Sequence, residues 1–103
     1  MIFVALVLAA ATTAPADGVP KARQAYASCL SSYTNDATAR KMARDAFLAG
    51  LKSKCTDKEA AFRAALIAAD KTDGMNDQDS RQDADDQVAE YIEKMTSDFD
   101  SGQ

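Results

Sequence analysis

DSRQDADDQVAEYIEKMTSDF, residues 79–99, decides the fold class. Ala84, Val88, Tyr91, Ile92, Met95 and Phe99 recur at three- and four-residue steps, the period at which an α-helix returns one face to a core. Between them Asp79, Asp83, Asp86, Glu90 and Glu93 step by four, three, four and three, which sets five carboxylates on one stripe. The pattern predicts an amphipathic helix over about residues 79–98. Ahead of it, Asp73-Gly74-Met75-Asn76 is the clearest turn signal in the chain.

Upstream the same period recurs. Phe62, Ala65, Leu66 and Ala69, with Ile67 alongside, predict a helix over about 57–72. Thr56-Asp57-Lys58-Glu59 matches a capping box that opens it, with Thr56 as N-cap. Met42, Ala43, Ala46, Phe47, Gly50 and Leu51 predict another over about 37–54, capped by Asp36. Ala22, Ala25, Tyr26, Cys29, Leu30 and Tyr33 predict the first, over about 20–32, with Pro20 in its opening turn. The polar run Ser31-Ser32-Tyr33-Thr34-Asn35-Asp36 reads as a break between these two. No segment alternates at period two. Each stripe is apolar on one side only, so the helices must bury against one another, and the expected fold is all-α, a small three- or four-helix bundle.

The chain opens with Ile2 to Ala11, a continuous apolar run, followed by Thr12-Thr13 and Ala14-Pro15-Ala16. Small residues at Ala14 and Ala16 fit the A-x-A preference of signal peptidase, so residues 1–16 read as a signal peptide and 17–103 as a single helical domain. No Lys or Arg precedes the run, a departure from the usual pattern. The run is too short to span about 30 Å of hydrocarbon. After cleavage no transmembrane helix remains, and the expected location is periplasmic or secreted.

Two cysteines, Cys29 and Cys55, are present. In an oxidising compartment an even count points to one disulfide. A hairpin turning near Asn35 would leave Cys55 about 21 Å beyond the residue opposite Cys29, whereas a disulfide needs Cα atoms within about 7 Å. Either residues 31–36 run back extended to close that gap, or the cysteines pair between chains or stay free.

Charge is divided unevenly. Residues 17–69 carry net +4 and residues 70–103 net −8. Like charges at the spacing of the acidic stripe cost a helix about 0.2–0.5 kcal/mol per pair. Asp79, Asp83, Asp86, Glu90 and Glu93 therefore form either a solvated face, partly offset by Arg40, Lys41, Arg44 and Lys52 of the second helix, or a docking face for a cationic partner.

Several chemistries find no footing. The chain has no His, so a Ser or Cys nucleophile lacks its usual base, and two Cys alone do not make a zinc site. An EF-hand register with Gly74 as sixth residue puts Ala69 first and Ser80 last, neither a carboxylate. Asp70, Asp73, Asp77 and Asp79 then read as capping and solubilising residues. No carboxylate lies in an apolar setting that would raise its pKa. The acidic balance argues against nucleic acid. No catalytic residue, metal or cofactor is expected.

Cys55-Thr56-Asp57-Lys58, on an exported helical chain of this size with one cysteine pair, resembles the segment around the second cysteine of the small periplasmic acid-stress chaperones. The resemblance implies a chaperone that is activated by acid. The residues by themselves lead to a different first expectation: a non-enzymatic exported module that binds or stabilises some envelope component. A small enzyme of unknown class is the remaining alternative.

Overall fold

The computed structural model of the chain describes residues 15–102. They form four helices, α1 (Pro15–Ala39), α2 (Arg44–Ser53), α3 (Thr56–Thr72) and α4 (Asp77–Ser101). Among the described residues there is no strand, and the all-α bundle expected from periodicity is the fold observed. The apolar run of the expected signal peptide lies outside the described residues.

Four helices make three rods. α2 and α3 follow one another with only Lys54 and Cys55 between them, and together they run antiparallel to α1. Tyr33 stacks on Phe47 of α2, Tyr26 on Phe62 of α3, and Gly18 lies against Ala65 further along α3. α4 returns parallel to α1 at a constant offset: Arg23 meets Gln87, Tyr26 meets Tyr91, and Thr38 meets Gly102.

The core draws on all four predicted stripes, but Ala43 and Ala46 of the second are exposed and Ala37, in none of them, is buried. Tyr26, Leu30, Ala37, Phe47, Leu51, Phe62, Leu66, Ala84, Val88, Met95 and Phe99 are all buried. Full burial of a Leu- or Phe-sized side chain contributes roughly 1.5–3 kcal/mol. The aromatic rings gather in two trios. Tyr26, Phe62 and Tyr91 meet at 5.6–5.8 Å between centroids. Further along, Phe47 lies between Tyr33 and Phe99, stacked on the latter at 4.0 Å. Cys29, between Tyr26 and Tyr33 on α1, bonds Cys55 between the two trios, with Cα atoms 6.0 Å apart.

The path that closes this disulfide corrects the sequence reading. The expected break at 31–36 is helical, and α1 continues to Ala39. Tyr33, Thr34 and Ala37 are drawn into the interior, and Thr34 satisfies its hydroxyl by donating to the Leu30 carbonyl one turn back (2.8 Å). The turn comes at residues 40–43 instead. There the Met42 N–H donates to the Ala37 carbonyl and the Lys41 N–H to Thr38, a Schellman ending with Lys41 at φ +53°. Cys29 stands about ten residues before this turn and Cys55 about eleven after it, roughly 15 Å each way at 1.5 Å per residue. The arms match, so no extended linker is required. α2 is correspondingly short, and Arg40 and Lys41 belong to the turn and not to a basic second helix.

The start of α3 also departs from expectation. Cys55 is the N-cap and makes no side-chain capping bond, while the Thr56 hydroxyl donates backwards to the Ser53 carbonyl. Glu59 is diverted from a capping box to Arg63 (3.1 Å) and to the Tyr26 hydroxyl, which donates to it at 3.4 Å. Burial and this carboxylate push the Tyr26 hydroxyl up to about 12. α4 opens as the turn signal predicted. Gly74 takes φ +95° in a second Schellman ending, and Asn76 caps α4 by accepting from the Asp79 N–H while its side-chain amide donates to the Asp79 carboxylate.

Candidate functional site

α4 divides its two faces cleanly. Ser80, Ala84, Val88, Met95 and Phe99 are buried. At about 100° per residue, Asp79, Asp83, Asp86, Glu90 and Glu93 occupy an arc of roughly 80° on the opposite side. Asp79, Asp86, Glu90 and Glu93 are exposed and Asp83 is half-buried.

The ion pairs of the bundle avoid this arc. Asp77 is held by Lys71 and Arg81, Asp85 by Arg63, Asp98 by Lys94, and Asp100 by Arg44. These acids lie off the stripe, where α2, α3 or the helix itself brings a cation to them. Among the described residues no Lys or Arg pairs with any of the five stripe carboxylates. Neutral amides serve instead: Gln82 donates to Asp86 (2.9 Å), and Gln87 donates to both oxygens of Asp83 (3.2 Å). Asp79 is tied to Asn76 of the cap. Glu90 and Glu93 have no partner among the described residues. Glu90 borders a cleft of about 190 Å³ with Arg23, Tyr91 and Lys94. Glu93 borders a shallow depression of about 540 Å³ with Thr96, Ser97, Asp100 and Ser101.

The expected offset of the stripe by the second helix is absent. Arg44 reaches only Asp100, beyond the stripe, and Arg40 pairs from the turn with Asp36 in the last turn of α1. Among the described residues the five carboxylates of this face are in no ion pair, although Arg23 and Lys94 line the cleft beside Glu90.

One acidic group contradicts the expectation that no carboxyl is perturbed. Asp70, in the last turn of α3, faces Asp83 across the α3–α4 boundary. Its Oδ2 is occluded from water and has no hydrogen-bond partner. The hydrogen bond to Asp83, then burial, then the charges of Asp83 and Asp73 raise its carboxyl from 3.8 to about 6. Two carboxyls in such contact cannot both ionise freely, so Asp70 keeps its proton to higher pH than an isolated carboxyl does. The pair ends a relay, since Gln87 accepts from Arg23 (2.9 Å), whose guanidinium lies 5.0 Å above the Phe62 ring. Sequence spacing could not reveal this pair, because it depends on how α3 and α4 align.

Among the described residues no three His, Cys, Asp or Glu groups converge as a metal site, and no helix is long and apolar enough to cross a membrane. Compared with family models, curated proteins and solved structures, the chain gives no match.

Proposed function

We propose that this protein is an exported, non-enzymatic helical module of the cell envelope that offers the outer face of α4 to a cationic partner. The observation that carries the proposal is the charge layout. Among the described residues, acids elsewhere on α4 are in ion pairs whereas none of the stripe is, although mutual repulsion at these spacings weakens the helix that bears it. A cationic surface docked there relieves that repulsion and gains Coulomb attraction.

Export is supported by the apolar start and by the disulfide, which persists in an oxidising compartment. It also suits α1. Cleavage after Ala16 leaves Pro20 in the first helical turn, where N–H groups have no intrahelical acceptor in any case. Mass spectrometry of the envelope or culture fraction checks this, with Asp17 expected as first residue. Recovery of the intact chain in the membrane fraction would refute it.

The binding role is tested by affinity capture from envelope extract. A variant with Asp79 and Asp86 changed to Asn, and Glu90 and Glu93 to Gln, should lose the captured partner, as should raising salt towards 1 M, where screening acts within about 3 Å. Equal capture by both proteins at both salt levels refutes the docking face. An acid-activated chaperone has the disulfide-linked helical plan in its favour. Protection of an aggregating client at pH 2–3 but not at pH 7, followed by light scattering, would decide for it. The Asp70–Asp83 pair weighs against it, because that pair is relieved by acid and does not open the fold.

A further inference from the structure

We infer that the Cys29–Cys55 disulfide is an exchange site for a small thiol reductant, attacked at Cys29 with Cys55 as the leaving sulfur. The inference is independent of the acidic face of α4.

Position distinguishes the two sulfurs. Cys55 is buried, whereas Cys29 is half-buried on α1, and both line a cleft of about 300 Å³ with Ser53, Lys54, Thr56, Asp57 and Lys58. That volume admits a small thiol to the disulfide. Lys54 and Lys58 attract an anionic thiolate into it, against the single carboxylate of Asp57. Among the described residues α1 contributes no charged side chain to the cleft. Glu59, the next acid on α3, is engaged by Arg63 and the Tyr26 hydroxyl.

The local backbone favours Cys55 as leaving group. Cys55 is the N-cap of a 17-residue helix and provides no side-chain cap. The first-turn N–H groups of α3 therefore lack the acceptor that a Ser or Asp would give them. A thiolate released at Cys55 is placed to take that role, at the positive end of the helix dipole and beside two lysines, conditions that stabilise the thiolate. A lower leaving-group pKa speeds exchange.

The step balances. The incoming thiolate forms a bond to Cys29 Sγ as the Cys29–Cys55 bond breaks, and the electron pair leaves on Cys55 Sγ. A second thiol then resolves the mixed disulfide. Two reductant thiols are oxidised to one disulfide, and the two cysteines are left reduced.

Oxidised protein is mixed with reduced glutathione at pH 7, quenched by alkylation and mapped by mass spectrometry. Glutathione is expected on Cys29 and the alkyl group on Cys55, with the folded protein reacting at least as fast as the same protein unfolded in urea. Lys54→Gln with Lys58→Gln should slow the reaction about three- to tenfold, while Lys71→Gln, outside the cleft, leaves it unchanged. Glutathione on Cys55, a folded-state rate ten or more times below the unfolded one, or an unchanged rate in the double variant would each overturn the inference.

Discussion

Changing Asp70 to Asn should make the domain more stable at neutral pH and leave it unchanged in acid. The Asp70 carboxyl is raised from 3.8 to about 6 in the fold, chiefly by its hydrogen bond to Asp83. Below about 3.8 the group is protonated in folded and unfolded chains alike, and the contact carries no penalty. As pH rises through 6 the folded chain must give up a proton from a crowded, part-occluded site, and stability falls. Two pKa units correspond to at most about 3 kcal/mol. Partial exposure screens the pair, so about 1–2 kcal/mol is the expected gain for Asp70→Asn at pH 7.5. For a domain of this size that is a rise in Tm of roughly 5–15 °C. Urea unfolding followed by circular dichroism at pH 4, 5, 6 and 7.5 measures it as a difference between variant and wild type. The difference is the proper readout because other groups move the opposite way. Asp77, held low by Lys71 and Arg81, contributes stability that is lost as pH falls through its folded pKa. Asp83→Asn should reproduce the gain, and the double variant should add little. A variant equal to wild type at every pH, or less stable at pH 7.5, would refute the raised Asp70 carboxyl.

Lys41→Gly should raise stability by about 0.5–1 kcal/mol, since a lysine at φ +53° carries a left-handed strain of about 1–2 kcal/mol that glycine escapes at some entropic cost; a drop in urea midpoint would show that Lys41 contributes contacts of its own. Gly50→Ala, normally favourable inside a helix, places a methyl group 1.9 Å from the Tyr33 hydroxyl and should cost about 1–3 kcal/mol. In a Tyr33→Ala background the same change should instead stabilise by up to about 1 kcal/mol, and absence of this sign reversal in thermal unfolding would reject the α1–α2 contact. Reducing Cys29–Cys55, which spans 26 residues, should cost about 3 kcal/mol, seen as a Tm lower by roughly 10–20 °C; an unchanged Tm after full reduction would rule out a staple.

What the sequence by itself determined were the helical stripes set by neighbours three or four residues apart, though not the capping box expected of Thr56 and Glu59. The apolar stripes of α3 and α4 are buried where the period placed them, and the bundle follows from one-sided helices that must bury that side. The acidic stripe could be read for the same reason. The two Schellman endings show where that reading stopped. After α3, Met75 bonds back to Asp70 and Gly74 to Lys71; after α1, Met42 bonds back to Ala37 and Lys41 to Thr38. The geometry is the same, but only one ending has a glycine to announce it. At the other, lysine accepts a strained backbone because packing around it outweighs the strain: Met42 rests on the core, and equal arms reach from the turn to Cys29 and Cys55. Tertiary burial likewise kept 31–36 helical against its polar composition, and the alignment of α3 with α4 alone brought Asp70 to Asp83. Local propensity differs by only tenths of a kcal/mol per residue, so contacts between distant segments, each worth more, settled where α1 turns and which carboxyls meet.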